Sequence, residues 1–225
     1  LFDRTSGRLL GRLTGLESTI LHLAYSPDGR WLAAMLGGKN GVRVFDAEND
    51  RETGRDSDYG DRSQSAHFSP DSRYLLTTSY DGQLRRYALQ EGKLTVPLRA
   101  PTAGGKNPYA ARFSPDGRLI AVGFAGTTLV QVLDAQSLAE VARPATTGVD
   151  NGDLSKIAWS ADGRYLFAAG RWQVAGKHGV RRWQVSDWSR YADLPVADNT
   201  VMDLAPLPGG GLLFAAQDPA WGVIA

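Results

Sequence analysis

The amino-acid sequence predicts an all-β protein built from about five copies of one unit. A short phrase, an aromatic residue followed by Ser-Pro-Asp-Gly or a variant of it, recurs at spacings of 43, 45, 46 and 47 residues, with a degenerate last copy. Each copy holds four short apolar or alternating runs separated by turn residues, and no segment keeps a 3.6-residue apolar period over three turns. Four strands in a period of about 40–45 residues are typical of one blade of a β-propeller.

The recurring phrase describes the first two strands of each unit and the turn between them. Its copies are "YSPDGRWLAA" from Tyr25, "FSPDSRYLLT" from Phe68, "FSPDGRLIAV" from Phe113, "WSADGRYLFA" from Trp159 and "PLPGGGLLFA" from Pro206. Proline sets φ for the turn, aspartate bonds nearby backbone and glycine supplies a positive φ, so a strand ends before the turn and another follows it. Two equivalent positions are expected to be buried between neighbouring sheets: Tyr25, Phe68, Phe113 and Trp159 at the first, and Leu32, Leu75, Ile120 and Leu166 at the second.

A third and a fourth strand follow in each unit. The third strand reads "GVRVFD", "GQLRRYA", "TLVQVLD" or "GVRRWQ", and it is marked by Phe45, Tyr87, Leu133 or Trp183. A Gly or Asn-Gly turn precedes it, which predicts a hairpin with the second strand. A polar turn then leads to a fourth strand such as "GKLTVPL".

These motifs resemble the repeats of the WD-repeat family, in a bacterial-type form with "SPDGR" turns, over essentially the whole chain. The turn and the aromatic-Asp endings at Phe2-Asp3 and Phe45-Asp46 carry the resemblance. The Gly-His pair that often opens a family repeat is missing, and Trp-Asp never ends a third strand. We therefore expect the blades to be held rigid mainly by packing, since the hydrogen-bonded tetrad of the family is incomplete. Similar turns also occur in TolB-like and lactonase-like propellers.

The resemblance implies a single β-propeller domain, or a propeller fragment, over residues 1–225. The repeats are expected at roughly 4–46, 47–88, 89–134, 135–184, and 185–225 plus 1–3. The segments "WGVIA" and "LFD" together complete one third strand, so the chain either closes as a five-bladed ring or is part of a larger propeller. We expect the larger propeller, in which the Cα atoms of Leu1 and Ala225 lie tens of ångströms apart.

Composition and charge exclude several classes of function. The formal net charge is +1, so the chain presents no overall field that would attract nucleic acid or an anionic membrane. It contains no cysteine, which excludes disulfides and thiolate metal sites and fits a reducing compartment. No apolar run approaches the ~20 residues of a membrane-spanning helix. We predict a cytoplasmic protein with neither nucleic acid nor membrane as a partner.

The sequence lacks motifs for catalysis, for a metal and for a cofactor. The three histidines, His22, His67 and His178, lie in different repeats and without the spacing of a zinc motif. "AGGKN" at 103–107 lacks the Ser or Thr and the helix of a phosphate loop, and "DNGD" at 150–153 lacks the further oxygen ligands of a calcium loop. The sequence therefore predicts no catalytic residue, no metal site and no cofactor.

The candidate binding residues are those that interrupt the repeat. In a propeller, the loops before the first strands and between the second and third strands lie on one rim. Here they carry aromatic and cationic side chains, the residue types of interaction hot spots. The candidates are Trp172, Tyr80, Tyr109, Arg62, Arg171, His178, Trp221 and Lys39. Trp172 lies in the long turn "GRWQVAGKHG", where we expect it to be exposed.

The WD-repeat resemblance implies a non-catalytic scaffold or regulatory module that binds a protein or another domain of its own chain. The alternative is a propeller enzyme of the lactonase or hydrolase kind, with a site in the central channel. Such a site needs ligands that converge from successive first strands. Two positions of these strands hold Ala24, His67, Arg112 and Ala158, and His22, Ser65, Ala110 and Lys156, which make a poor ligand ring.

Overall fold

The computed structural model describes residues 3, 5–9, 11–90, 93–104, 107–150 and 153–224. These residues form twenty β-strands in five sheets with antiparallel pairing, and the predicted all-β class is confirmed. Within the described ranges, no helix is long and apolar enough to cross a membrane.

Each sheet is one blade, and the strands of a blade lie side by side in chain order. Blade 1 contains β1 (Ile20–Tyr25), β2 (Trp31–Leu36), β3 (Val42–Asp46) and β4 (Glu52–Asp56). Blade 2 contains β5 (Ser63–Phe68), β6 (Tyr74–Ser79), β7 (Gln83–Gln90), β8 (Lys93–Leu94) and β9 (Leu98–Pro101), of which the last two both pair with β7. Blade 3 contains β10 (Pro108–Phe113), β11 (Leu119–Phe124), β12 (Val130–Asp134) and β13 (Glu140–Ala142). Blade 4 contains β14 (Lys156–Trp159), β15 (Tyr165–Val174), β16 (Lys177–Gln184) and β17 (Asp187–Ala197), and blade 5 contains β18 (Val201–Pro206), β19 (Leu212–Ala216) and β20 (Trp221–Ile224).

The turn between the first two strands of blade 2 shows how the recurring phrase folds. The Ser69 hydroxyl donates to Asp71 Oδ1 at 2.6 Å and accepts the backbone N–H of Tyr74 at 2.9 Å. Asp71 Oδ1 also accepts the backbone N–H of Arg73 at 3.1 Å. The same Ser–Asp bond closes the turn in blades 1, 3 and 4. Because every partner lies within five residues, the turn is specified locally in each copy.

Neighbouring blades bury most of the predicted apolar positions between them. The residues whose burial is confirmed are Phe68, Phe113, Trp159, Leu32, Leu75, Ile120 and Leu166, each 4% exposed or less. The prediction is wrong for Tyr25, which is 54% exposed. On the same face of blade 1, Leu32 packs against Leu13 and Leu16 from the segment before β1, a cluster that does not include Tyr25. Leu32 is therefore buried as predicted, but beneath this segment rather than between two neighbouring sheets.

Buried polar side chains add to the packing at one position of the third strand, two residues before its marker residue. This position holds Arg43, Arg85, Gln131 and Arg181, each 3% exposed or less. Each of these side chains bonds an acidic one: Arg43 bonds Glu17 at 3.0 Å, Arg85 bonds Asp81 at 2.6 Å, Gln131 bonds Glu140 at 2.7 Å and Arg181 bonds Asp193 at 2.6 Å. The expectation that rigidity comes mainly from packing therefore overlooked a repeated polar staple. The repeat pattern does not reveal this staple, because the acidic partners lie at unrelated distances along the chain.

Blade 5 has three strands in the described part of the chain, and its outward face is exposed. Leu212 and Phe214 of β19 pack toward blade 4, whereas Trp221 is 76% exposed and Val223 is 56% exposed. The predictions that concern Phe2 and the separation of the two chain ends fall outside the described residues.

Candidate functional site

Four of the predicted binding residues lie together on the upper rim, the edge formed by the loops before the first strands and between the second and third strands. Arg62, Tyr80, Tyr109 and Arg171 come from blades 2, 3 and 4, and we call them the upper-rim cluster. The Arg62 guanidinium lies 5.9 Å from the ring centroid of Tyr80. Partial burial raises the pKa of Tyr80, as does the neighbouring Tyr109, while Arg62 and Arg171 act in the opposite direction. Arg62, Tyr109 and Arg171 therefore all lie within electrostatic reach of Tyr80.

Asp153 joins the upper-rim cluster from the loop before β14. Its Oδ2 lies 3.6 Å from Nε of Arg171, and its side chain is only 18% exposed. The backbone of Asp153 has a φ of 73°, and a Cβ on Gly170 would collide with its carbonyl oxygen. Only glycine allows this close approach of the loop to β15, which is how the loop comes to lie beside Arg171.

Lys156 connects the upper-rim cluster to the interior of the propeller. Its ammonium group lies 3.7 Å from the ring centroid of Tyr109, within the range of a cation–π contact. Lys156 begins β14, and its side chain also lines the channel cavity described below. Sequence analysis named Lys156 only as a poor ligand, because its distance from Tyr109 depends on how blades 3 and 4 pack.

The structure corrects the expectation that Trp172 is exposed. Trp172 is 1% exposed and lies in the core between blades 3 and 4, where its Nε1–H donates to the Gly148 carbonyl at 3.3 Å. The long turn is a continuation of the β15–β16 hairpin, with Gln173 opposite His178, rather than a loop. Strand alternation then points Arg171 outward and Trp172 inward. The alternating sequence "RWQV" before Ala-Gly was the signal that could have shown this.

The remaining predicted binding residues do not join the upper-rim cluster. His178, a predicted rim residue, is only 8% exposed, and its Nε2 lies 3.2 Å from the Gln173 amide nitrogen. It is buried because it pairs with Gln173 inside the extended hairpin. Lys39 and Trp221 are exposed. In the described part of the chain, no hydrogen bond, ion pair or ring contact connects Lys39 or Trp221 to the cluster.

A central channel runs between the first strands, which pack side by side from β1 through β5, β10 and β14 to β18. Its upper part is a cavity of about 230 Å³. The lining includes His22, Arg112, Lys156 and Asp203, together with Tyr109 of the upper-rim cluster. Burial and then the charges of Arg112 and Lys156 lower the pKa of His22 to about 4, with Asp203 opposing them. His22 is therefore neutral near pH 7, and the cavity has a net positive charge.

The lower part of the channel is larger and mainly apolar. It has a volume of about 350 Å³ and is lined by Pro27, Pro70 and Pro115 of the Ser-Pro-Asp turns, with Trp159 and Leu204 among its other lining residues. Arg112 and Ile157 line both parts. The guanidinium thus lies where a cationic upper cavity meets an apolar lower one.

The two histidines of the first strands connect neighbouring blades. Nδ1 of His22 accepts the backbone N–H of Ala66 at 3.4 Å, and Nδ1 of His67 accepts that of Phe113 at 3.2 Å. Burial and the charge of Arg112 hold the pKa of His67 well below its ordinary value. A neutral imidazole that accepts at Nδ1 carries its hydrogen on Nε2, so neither ring presents a lone pair to the channel. Among the described residues, no group of three or more His, Cys, Asp or Glu side chains could hold a metal ion.

Blades of this form around a channel define the chain as a β-propeller. A family model described as "Cytochrome D1 heme domain" matches residues 32–159, which is more than half of the chain, and the chain belongs to that family. A second model, "WD domain, G-beta repeat", matches residues 7–46. The chain is also 25% identical over 221 residues to a protein of Arabidopsis thaliana named "Pre-mRNA-processing factor 19 homolog 2". That match covers 97% of this chain but only 40% of the relative, and together with the second model it supports the WD-repeat character of the blades.

The channel residues do not fit the haem that the name of the first family implies. Haem iron in proteins is commonly held by a histidine nitrogen, which must offer a lone pair. If Nε2 of His67 bound iron, Nδ1 would carry the hydrogen and would face the N–H of Phe113, donor against donor. The same conflict applies to His22 and Ala66. The likeness to this family therefore lies in the fold.

Proposed function

We propose that this chain is a non-catalytic protein-interaction module that binds a protein, or another domain of its own chain, through the upper-rim cluster. The observation that carries the proposal is the convergence of Arg62, Tyr80, Tyr109 and Arg171 from three blades onto one exposed edge. Arginine and tyrosine are the residue types that contribute most to binding at protein interfaces. Tyr109 and Arg171 lie in strands, and Arg62 and Tyr80 directly adjoin the ends of β5 and β6, so binding needs little ordering of the backbone.

The comparisons support an interaction role for the propeller. The WD-domain match and the plant relative favour a scaffold, because WD repeats generally bind proteins. The alternative, an enzyme with a channel site, has less support. The channel histidines are used as acceptors between blades. The described lining of the upper cavity offers one carboxylate, Asp203, and one serine, Ser65, whose hydroxyl lies 3.0 Å from that of Thr78 rather than beside a base.

Crosslinking from the upper rim tests the proposal. A photoreactive phenylalanine analogue in place of Tyr80 should crosslink a partner, and the dissociation constant of that partner is then measured for defined variants. Arg62→Glu is expected to weaken binding by about tenfold or more, because it reverses a hot-spot charge. Arg118→Glu is the matched control, since Arg118 is 86% exposed on the opposite edge of the propeller. Equal binding by the two variants would contradict the proposal.

A further inference from the structure

The buried arginines of the third strands show what this fold requires of an enclosed guanidinium. Arg43, Arg85 and Arg181 are each 2% exposed or less, and each lies within 3.0 Å of a carboxylate oxygen. A buried charge without such a partner costs several kcal/mol. Pairing is therefore the rule for this residue type in three of the five blades.

Arg112 differs from these three. It lies in β10, lines both parts of the channel and is partly rather than fully buried, and its Nη1 donates to the backbone carbonyl of Ala111 at 3.1 Å. Among the described residues, no carboxylate comes within ion-pair distance of this guanidinium. Burial lowers the pKa of Arg112, and the more distant Asp203 offsets this only in part. The fold thus holds a cation in the channel that lacks the partner given to the other three arginines.

The surroundings of Arg112 have the size and charge of a small anion site. The upper cavity of about 230 Å³ is large enough for several water molecules or for a short acidic group. Arg112 and Lys156 bring two positive charges to its lining, and Asp203 brings one negative charge. The two channel histidines are neutral near pH 7 because their pKa values are lowered. One net positive charge therefore faces the cavity.

We propose that the upper channel cavity binds a single carboxylate group, which pairs with the Arg112 guanidinium and the Lys156 ammonium. The guanidinium presents a planar fork of N–H donors that matches the two oxygens of a carboxylate. A phosphate dianion fits less well, because it exceeds the net charge of the lining and would face Asp203. The site is separate from the upper-rim surface of the proposed function, and it can fill even if no protein binds there.

The carboxylate could come from two sources, and both would present the same chemical group to Arg112 and Lys156. One is a free monocarboxylic acid that enters the channel alone. The other is an aspartate or glutamate side chain of a polypeptide that lies across the upper rim, since Tyr109 belongs both to the cavity lining and to the upper-rim cluster. In either case the same two cations hold the carboxylate.

Nuclear magnetic resonance titration of the purified chain tests the proposal with two probes. The first probe is acetate, and the second is a seven-residue Gly/Ser peptide with a central glutamate, compared with its glutamine counterpart. Spectra are recorded near pH 7, where both probes are ionised, and a carboxylate that pairs with Arg112 and Lys156 is expected to shift the ring resonances of His22, which lines the same cavity. Saturable binding by acetate alone would identify a free acid. Binding of the glutamate peptide about tenfold tighter than acetate, with shifts at Tyr80 and Tyr109, would identify a side chain.

Variants decide whether Arg112 is responsible. Arg112→Gln is expected to weaken binding by about tenfold or more and to remove the shift of His22, whereas Arg118→Gln, an exposed arginine of the same blade, should bind like the unmodified chain. Lys156→Gln should weaken binding less. The proposal is overturned if neither probe moves His22, if Arg112→Gln binds as tightly as Arg118→Gln, or if the glutamine peptide binds like the glutamate peptide. These readouts do not use the crosslinked partner. The carboxylate site and the upper-rim interface can therefore be confirmed or refuted independently of each other.

Discussion

Arg181 and Asp193 form a two-point ion pair across β16 and β17, with Nε to Oδ1 at 2.6 Å and Nη2 to Oδ2 at 2.8 Å. The guanidinium also donates to the carbonyls of Ala145 and Thr147, and it lies 4.0 Å from the ring centroid of Tyr191. Such a side chain connects blade 4 to the loop that precedes it. The same position in blades 1 to 3 holds Arg43, Arg85 and Gln131, so the staple is a repeated feature of the fold.

Loss of this staple should destabilise the chain strongly. Arg181→Ala is expected to lower the free energy of unfolding by about 3 kcal/mol, because it leaves a carboxylate and two carbonyls without their donor. The value lies at the low end for a buried pair, since Asp193 is 22% exposed. Urea denaturation measures it, with the exposed Arg190→Ala as a control that should change stability by less than about 0.5 kcal/mol. If Arg181→Ala lowered the free energy of unfolding no more than Arg190→Ala does, the Arg181–Asp193 pair would not be needed for stability.

Trp172 should behave as a core residue rather than as a binding residue. Trp172→Ala is expected to cost about 3–5 kcal/mol, comparable to Trp159→Ala, because each leaves a cavity between blades 3 and 4. Trp221→Ala is the matched control, since Trp221 is 76% exposed. This substitution should lower the free energy of unfolding by less than about 1 kcal/mol. Chemical denaturation of the three variants compares them directly. A small loss for Trp172→Ala would place that ring outside the core.

Replacement of Arg112 by an apolar side chain should stabilise the chain in the absence of ligand. Arg112→Met removes a partly buried charge that has no carboxylate partner among the described residues, so we expect a gain of about 1 kcal/mol, or about 2–4 °C in melting temperature. Arg85→Met, by contrast, leaves the carboxylate of Asp81 without its partner and should destabilise. Thermal denaturation in a buffer without carboxylates measures both. An equal loss in the two variants would mean that Arg112 is structurally satisfied, and the anion site would lose its basis.

The turn aspartates should make the fold sensitive to acid. The Ser160 hydroxyl, followed by the N–H and side chain of Arg164, lowers the pKa of Asp162 from 3.8 to about 2. A lowered pKa means that the folded state favours the ionised form, so its contribution is present above about pH 4 and is lost as the pH falls toward 2. Asp71 and Asp116 are lowered in the same direction.

Denaturation between pH 2 and pH 6 checks this expectation. The difference in unfolding free energy between the unmodified chain and Asp162→Asn should shrink as the pH falls through this window. Ser160→Ala removes the largest cause of the shift and should move the loss to higher pH. A constant difference at all pH values would show that ionisation of Asp162 does not stabilise the turn.

The amino-acid sequence by itself determined the strands and the turns between them. The Ser69-Pro-Asp turn closes through partners no more than five residues away, so its fold depends on nothing distant. The burial of Phe68, Phe113 and Trp159 was also predictable from the sequence. The repeated strand pattern places an aromatic side chain at the same position between sheets in each of these copies. The period and most of the core were therefore predictable, whereas the two short strands β8 and β9 that both pair with β7 in blade 2 were not.

The tertiary structure alone decided which side chains are enclosed, paired or left exposed. Trp172 is buried because the hairpin of blade 4 continues past the expected turn, and Tyr25 is exposed because the segment that packs on its face of blade 1 does not cover it. Arg85 has a carboxylate partner and Arg112 does not, although both are arginines in strands of neighbouring blades. The physical reason is that burial and ion pairing depend on atoms from neighbouring blades, whose distances are set by packing rather than by position along the chain.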